Sequence, residues 1–213
     1  MAASHETIQQ EGNLAQGRKL QVDFQWKKFK TLISEENAGK AKPLYIVQYR
    51  VSKPCLVFKT PANDSVIGTG TTHAISIDAD CEIRGKPTKI KALKRFKTEY
   101  TYLSSAFSGT DAPVTMTWTA NYGLKTWDFV CLDMKQVSVA RFSVNVWGIK
   151  RIGDVEFLGS KATNEAAREE IVITGLTLFY CMYIRIFSVL SLFGAVLARP
   201  GPVDQEKPTA VKK

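Results

Sequence analysis

Residues 171–198 read IVITGLTLFYCMYIRIFSVLSLFGAVLA, and this stretch decides the fold. A helix formed by these residues would be apolar on every side, with Arg185 as its only strongly basic group. Such a helix is enclosed either by the core of a protein or by lipid. The rest of the sequence has to indicate which of the two surrounds it.

The ends of this helix carry ordinary boundary signals. Asn164 can cap the N-terminus, and three glutamates in the first turns match the positive end of the helix dipole. Residues 200–202 (PGP) stop the helix, so it is predicted over about 165–198. The apolar run would be roughly 40 Å long, which exceeds a bilayer core of about 30 Å. Its length alone therefore allows a transmembrane span.

Upstream of the helix, short apolar or alternating runs follow one another between turn residues, a spacing typical of barrels and sandwiches. A closed barrel of many strands has a wide lumen, and the apolar helix is the one segment suited to fill it. The predicted fold is mainly β: an antiparallel closed β-barrel of about twelve strands around a buried apolar C-terminal helix. The predicted strands are residues 24–31, 44–50, 55–59, 66–69, 73–78, 81–84, 89–93, 98–103, 114–120, 127–134, 137–144, 146–149 and 155–158.

One domain accounts for this pattern. Residues 20–198 form the predicted barrel and helix, while residues 1–19 and 199–213 are polar and are predicted to be disordered tails. The helix residues expected to fill the lumen are Ile171, Ile173, Leu176, Leu178, Phe179 and Met182.

Several segments resemble the fungal tubby C-terminal-like domains. The sharpest are residues 130–133 (VCLD), 140–142 (ARF) and 170–176 (EIVITGL), and the resemblance extends over about 24–185. These domains are similar in plan to tubby, the plant LURP-one-related proteins and the phospholipid scramblases. The resemblance implies a barrel of about twelve antiparallel strands around a buried C-terminal helix. In such relatives the helix ends soon after a segment like 183–185 (YIR), whereas here an apolar stretch continues.

Arg185 divides the long run into two parts. At the middle of a bilayer this charge would cost about 2.5–3.5 kcal/mol. We therefore predict that residues 171–185 lie in the barrel with Arg185 at its mouth, and that 186–198 emerge as a helical extension. That extension would cover an apolar surface or touch a membrane from one side.

Composition bounds the function. The 213 residues carry a net charge of +9, which favours an acidic partner such as a membrane surface or a nucleic acid, although it can also serve solubility alone. No nucleic-acid-reading motif is present. The four cysteines form no C-x-x-C pair and are interpreted as buried small apolar residues. No secretory signal is evident, so an intracellular protein is expected, cytoplasmic or peripheral to a membrane.

No catalytic constellation is apparent. His73 is interpreted as structural or solvated, because no G-x-S-x-G nucleophile motif accompanies it. The pair Gly68 and Gly70 matches only part of a G-x-G-x-x-G dinucleotide motif, and no following helix is predicted. No spacing suits zinc or calcium. We expect a non-enzymatic protein with no cofactor and no metal.

A basic segment is the most informative candidate site. On a strand, Lys89 and Lys91 would face solvent together on either side of Ile90. Clusters of this kind attract anionic headgroups, at about 1 kcal/mol per residue near the surface. A solvated strand edge protected by lysine is the alternative. The candidate lipid-binding residues are Arg84, Lys86, Lys89, Lys91, Lys94, Arg95 and Lys97.

The resemblance adds one implication, since tubby domains bind phosphoinositides through basic residues, but no motif transfers those positions to this chain. The function predicted is that of a monomeric barrel that binds anionic membrane lipids, such as phosphoinositides, peripherally. Two alternatives remain. One is a tail-anchored or integral membrane protein that uses 171–198 as a span, and the other is a protein-interaction scaffold.

Overall fold

The computed structural model of this chain describes residues 18–35, 42–95, 97–123, 125–159, 164–187 and 200–203. These residues form a closed barrel of twelve antiparallel strands and one long helix, which confirms the predicted fold class. The strands are β1 (Lys19–Gln25), β2 (Lys30–Glu35), β3 (Pro43–Tyr49), β4 (Leu56–Lys59), β5 (Val66–Thr72), β6 (Ala79–Ile83), β7 (Lys86–Ala92), β8 (Glu99–Ser104), β9 (Val114–Tyr122), β10 (Thr126–Leu132), β11 (Ser138–Asn145) and β12 (Arg151–Phe157), and the helix is α1 (Glu165–Phe187).

The barrel is a simple meander. Consecutive strands pair with one another, and β1 closes the barrel by pairing with β12, where Leu20 lies opposite Val155. Side chains alternate along the strands between the lumen and the outside, so Trp127, Phe129 and Cys131 of β10 all point inward and are buried.

Three of the predicted strands are wrong. Residues 24–31 contain the turn between β1 and β2, a 3-10 turn at Trp26–Lys28 followed by Phe29 in the left-handed region (φ 46°). Residues 73–78 form a loop in which the Ser76 hydroxyl accepts a hydrogen bond from the Asp78 N–H (3.1 Å). Residues 146–149 form the turn after β11. Side-chain and turn hydrogen bonds replace the ladder in these segments, and apolar alternation alone does not reveal this.

Helix α1 lies inside the barrel. Residues 171–178 are all buried, and eight consecutive residues cover more than two turns of a helix. Every side of the helix is therefore covered, which a position on an outer face would not allow. Of the residues expected to fill the lumen, Phe179 is partly buried and the other five are buried.

Side chains of α1 contact three consecutive strands of the barrel wall. The Trp118 indole N–H of β9 donates to the Thr174 hydroxyl (3.1 Å). The Phe179 ring lies 6.3 Å from the Phe129 ring of β10 and 5.8 Å from the Phe142 ring of β11, in edge-to-face geometry. These contacts connect α1 to β9, β10 and β11, so successive turns of the helix pack against neighbouring strands.

Two glycines of β5 bring the sheet close to α1. A Cβ atom on Gly68 would lie 2.5 Å from the Glu82 carbonyl oxygen and 2.6 Å from Cδ1 of Ile173. Gly70 meets Thr177 of the helix in the same way. From the helix side, Gly175 faces the Trp118 ring, 3.1 Å from where a Cβ would stand. Gly68 and Gly70, the two glycines of the incomplete dinucleotide motif, therefore serve the packing of β5 against α1.

The two ends of the barrel differ, and we name them by the helix. Loops after the even-numbered strands form the N-terminal rim, where Glu169 of α1 pairs with Arg84 (2.6 Å). Loops after the odd-numbered strands form the C-terminal rim, where Arg185 donates to the Arg95 carbonyl oxygen (3.4 Å). Arg185 thus lies at the mouth of the barrel, as its position in the sequence predicts.

The remaining parts of the predicted domain plan are described only in part. Residues 1–17, 188–199 and 204–213 lie outside the described residues, and with them most of the predicted extension 186–198. At 200–203, the Gly201 N–H donates to the Ala92 carbonyl oxygen at the end of β7 (3.1 Å). Residues 171–182 of the alternative membrane span lie inside the barrel. Among the described residues, no helix combines the length and apolar character needed to cross a bilayer.

A buried carboxyl group lies near the N-terminal rim. Glu170 is almost fully buried, and one of its carboxyl oxygens accepts a hydrogen bond from the Ala106 N–H (3.3 Å). Burial raises the pKa of Glu170 above its usual value, and hydrogen bonds to the carboxyl group lower it only in part. The folded chain therefore binds this proton more tightly than the unfolded chain does.

The close approach of β5 to α1 gives the first prediction. Gly68→Ala should destabilise the barrel by about 1–3 kcal/mol, because the new methyl group clashes with backbone on one side and with Ile173 on the other. Denaturant unfolding of both proteins measures the difference. Gly109→Ala is the matched control, since a Cβ there meets no atom within 4 Å. Equal losses of stability in the two variants would contradict the packing role of Gly68.

Glu170 gives a prediction about pH. Stability contributed by a carboxyl with a raised folded-state pKa is greatest below its unfolded pKa, and it declines as pH rises from there through the folded pKa. Glu170→Gln keeps an acceptor for Ala106 but cannot ionise. The variant should gain stability relative to the wild type as pH rises through this window. Melting temperatures of both proteins across the acid-to-neutral range measure this, and parallel pH profiles would contradict it.

Candidate functional site

The basic segment follows the whole length of the barrel wall. Arg84 lies at the N-terminal rim, β7 carries three lysines, and the other members lie in the loop that joins β7 to β8 at the C-terminal rim. On β7, Ile90 and Ala92 are fully buried, while Lys89 is exposed and Lys91 is half-buried. The strand register therefore places both lysines on the outer face, as the alternation predicts.

Several of these cations already have partners. Arg84 pairs with the buried Glu169 (2.6 Å), and Lys94 pairs with Glu99 (2.7 Å). The Lys91 ammonium donates to the Pro202 carbonyl oxygen (3.1 Å). Within the described part of the chain, ion-pair partners are absent for Lys86, Lys89, Arg95 and Lys97. The basic surface available to an anionic ligand consists of these four residues, and we call it the β7 basic surface.

A second feature, an aromatic groove, opens at the C-terminal rim. Its volume is about 400 Å³, within the range of small-ligand pockets. Trp26 and Trp147 stand at its edge with 63% and 76% of their surfaces exposed. Most of the lining comes from aromatic and aliphatic side chains: Phe24, Trp26, Phe29, Tyr49, Val144, Val146, Trp147, Ile149, Ile152, Phe179, Tyr180 and Tyr183.

Contacts between aromatic rings hold this groove in place. The Trp26 indole N–H donates to the Ile149 carbonyl oxygen (2.5 Å), which ties the β1–β2 turn to the β11–β12 turn. The Phe24 ring lies 4.7 Å from the Trp26 ring and 5.6 Å from the Tyr49 ring. Tyr49 in turn contacts the Tyr180 ring of α1 (5.6 Å). The exposed tryptophan is therefore connected through packed rings to the central helix.

The base of the groove is neutral. The Tyr49 hydroxyl is neutral, burial raises its pKa to about 12, and it shares a hydrogen bond with the Thr31 hydroxyl (3.0 Å). A groove of packed rings with a neutral base suits the apolar part of a ligand.

The sequence interpretation did not predict this groove. Its lining comes from four strands, two turns and α1, which are far apart in the chain. A signal was present in the turn 146–150 (VWGIK), which places a tryptophan and an isoleucine where polar residues are usual. Apolar side chains that form a contiguous exposed patch often mark a binding surface.

Other candidate groups for chemistry have structural partners. The His73 Nε2 contacts Asp80 (2.7 Å) and its Nδ1 contacts Lys53 (3.1 Å), so each ring nitrogen has a hydrogen-bond partner. All four cysteines are free, and burial raises the pKa of the Cys81 thiol to about 12 and that of Cys181 to about 11. Among the described residues, no group of three or more potential metal ligands exists.

Comparison of the chain with protein-family models, curated proteins and solved structures finds no match. The resemblance to the fungal tubby C-terminal-like domains therefore stays a prediction. Any function assigned to the chain rests on its own residues: a filled barrel, the β7 basic surface and the aromatic groove.

Proposed function

We propose that this chain is an intracellular, non-enzymatic β-barrel of the tubby-like type that binds anionic membrane lipids, such as phosphoinositides, as a peripheral protein. The observation that carries this proposal is the β7 basic surface, whose four exposed cations make no ion pair with any described residue. Cations that make no ion pair remain available to an anionic ligand, and Asp80, which lies opposite Lys89 on β6, contacts His73 instead.

The energy of such an interaction is sufficient for reversible binding. Each lysine or arginine near an anionic bilayer contributes about 1 kcal/mol. The attraction falls off over a Debye length of about 8 Å at physiological ionic strength. Four cations would therefore give an association that is reversible and sensitive to salt, the behaviour of a peripheral protein.

The filled lumen limits where a ligand can bind. Some barrels hold a small ligand in the lumen, but here α1 occupies it and residues 171–178 are buried on all sides. A ligand is therefore left with the outer wall and the rims. The tubby resemblance, which implies phosphoinositide binding through basic residues, points in the same direction.

The β7 basic surface gives a direct prediction. Arg95→Glu combined with Lys97→Glu should weaken binding to vesicles of phosphatidylcholine and phosphatidylserine. Losing two favourable cations removes about 2 kcal/mol, or roughly 30-fold in affinity, and the new negative charges add to this. Co-sedimentation at low and high salt measures the change.

The control variant combines Lys42→Glu with Lys135→Glu. It makes the same change in net charge at exposed positions on the N-terminal rim, away from β7. Binding of the control should stay close to that of the wild type. Equal weakening by both variants would indicate attraction by net charge alone, and undiminished binding of the Arg95 and Lys97 variant would remove the role of the β7 basic surface. If the wild-type protein does not bind acidic vesicles, the result would favour the alternative function of a protein-interaction scaffold.

A further inference from the structure

Charge is distributed unequally between the two rims. Among the described loop residues of the C-terminal rim, nine are Lys or Arg and only Asp78 is acidic. The described loop residues of the N-terminal rim include three basic and three acidic side chains. The cations of the C-terminal rim are Lys27, Lys28, Arg50, Lys53, Lys94, Arg95, Lys97, Lys125 and Lys150.

Exposed apolar side chains are also distributed unequally between the two rims. Within the described residues, twelve large apolar side chains are exposed, and nine of them lie at or next to the C-terminal rim. Every exposed aromatic ring is in that group, whereas the N-terminal rim has only Val66, Met134 and Val137. One end of the barrel is therefore both strongly basic and apolar, and the other end is neither.

The two properties are interleaved in the loops. Trp26 is followed by Lys27 and Lys28, and Trp147 lies in the turn that ends at Lys150. Tryptophan is enriched where lipid headgroups meet acyl chains, because its ring is apolar and its N–H is polar. Basic side chains beside it bind the anionic headgroups of the same surface. A protein partner would need acidic groups interleaved with apolar ones, whereas an anionic bilayer offers both over its whole area.

We propose that the C-terminal rim docks end-on onto an anionic bilayer, with Trp26 and Trp147 entering the interface between headgroups and acyl chains. This inference rests on the proposed function and specifies which surface performs it. Of the β7 basic surface, Arg95 and Lys97 lie at this rim and contact the bilayer in this orientation, whereas Lys86 and Lys89 remain on the outer wall. The aromatic groove, open between the two tryptophans, faces the acyl chains in this orientation.

The path of the chain agrees with this orientation. α1 ends at Phe187 at the C-terminal rim, and Gly201 is hydrogen-bonded to the rim end of β7. Residues 188–199 (SVLSLFGAVLAR) are apolar apart from Arg199 and two serines, and they connect these two points on the rim. The groove lies at β1, β3, β11 and β12, across the barrel from β7. Both points that flank this apolar sequence therefore lie on the face that would meet lipid.

Tryptophan fluorescence tests the orientation, because the chain has four tryptophans and two of them, Trp118 and Trp127, are buried. The full chain is mixed with vesicles of phosphatidylcholine and phosphatidylserine whose acyl chains carry bromine. We expect a blue shift and quenching of the Trp26 and Trp147 emission. Trp26→Phe with Trp147→Phe should keep the fold and lose most of this quenching.

Affinity provides the second readout. Trp26→Ala with Trp147→Ala should weaken vesicle binding at least tenfold, with the fold checked by the emission of the buried tryptophans. Met134→Ala with Val137→Ala is the matched control, since it removes exposed apolar side chains from the N-terminal rim. This control should bind like the wild type.

The outcomes separate the two proposals. If the wild type does not bind acidic vesicles, both are overturned. If it binds, but without quenching and with unchanged affinity of the Trp26 and Trp147 alanine variant, end-on docking is overturned and lipid binding stands. Docking is also overturned if that variant abolishes self-association in sedimentation and leaves vesicle binding unchanged, because the rim would then join two copies of the chain.

Discussion

Packing of α1 into the lumen is the interaction on which the rest of the structure depends. In each of the twelve strands, every second side chain points into the lumen, and most of these side chains are apolar. Without the helix they would surround a void. The helix is apolar on all sides because it is in contact with barrel wall on all sides. Gly68 and Gly70 allow one wall to approach it closely, and Trp118 hydrogen-bonds to it from another.

The two ends of the helix also differ in charge. Glu169 and Glu170 lie at the end where α1 enters, and Arg185 lies at the end where it leaves. Among the described loops, basic and aromatic residues gather at the end where Arg185 emerges, while the loops at the other end carry equal numbers of basic and acidic residues. A meander places alternate loops at opposite ends, so residues far apart in sequence can form one face. The proposed membrane orientation follows from this arrangement, and it needs no single binding motif.

The sequence was sufficient for the fold because its signals are local. A two-residue period indicates strands, and an all-round apolar run indicates an enclosed helix. The strand predictions were wrong where local hydrogen bonds determine the conformation, as at Trp26–Lys28 and in the loop 73–78.

The candidate site could be predicted from the sequence only in part. Exposure of Lys89 follows from alternation, but the pairing of Arg84 with Glu169 joins residues 85 positions apart and becomes visible only in the fold. The aromatic groove has the same origin, since strands β1, β3, β11 and β12 and helix α1 assemble it.

Hydrogen exchange of the full chain in solution, read by mass spectrometry, tests the central position of α1 most directly. If α1 fills the lumen, the amides of 171–178 can exchange only when the whole barrel opens. Their free energy of opening should then equal that of the amides in β9, β10 and β11. Exchange of 171–178 at a much lower free energy than these strands would contradict the account, because the helix could then leave while the barrel stayed folded.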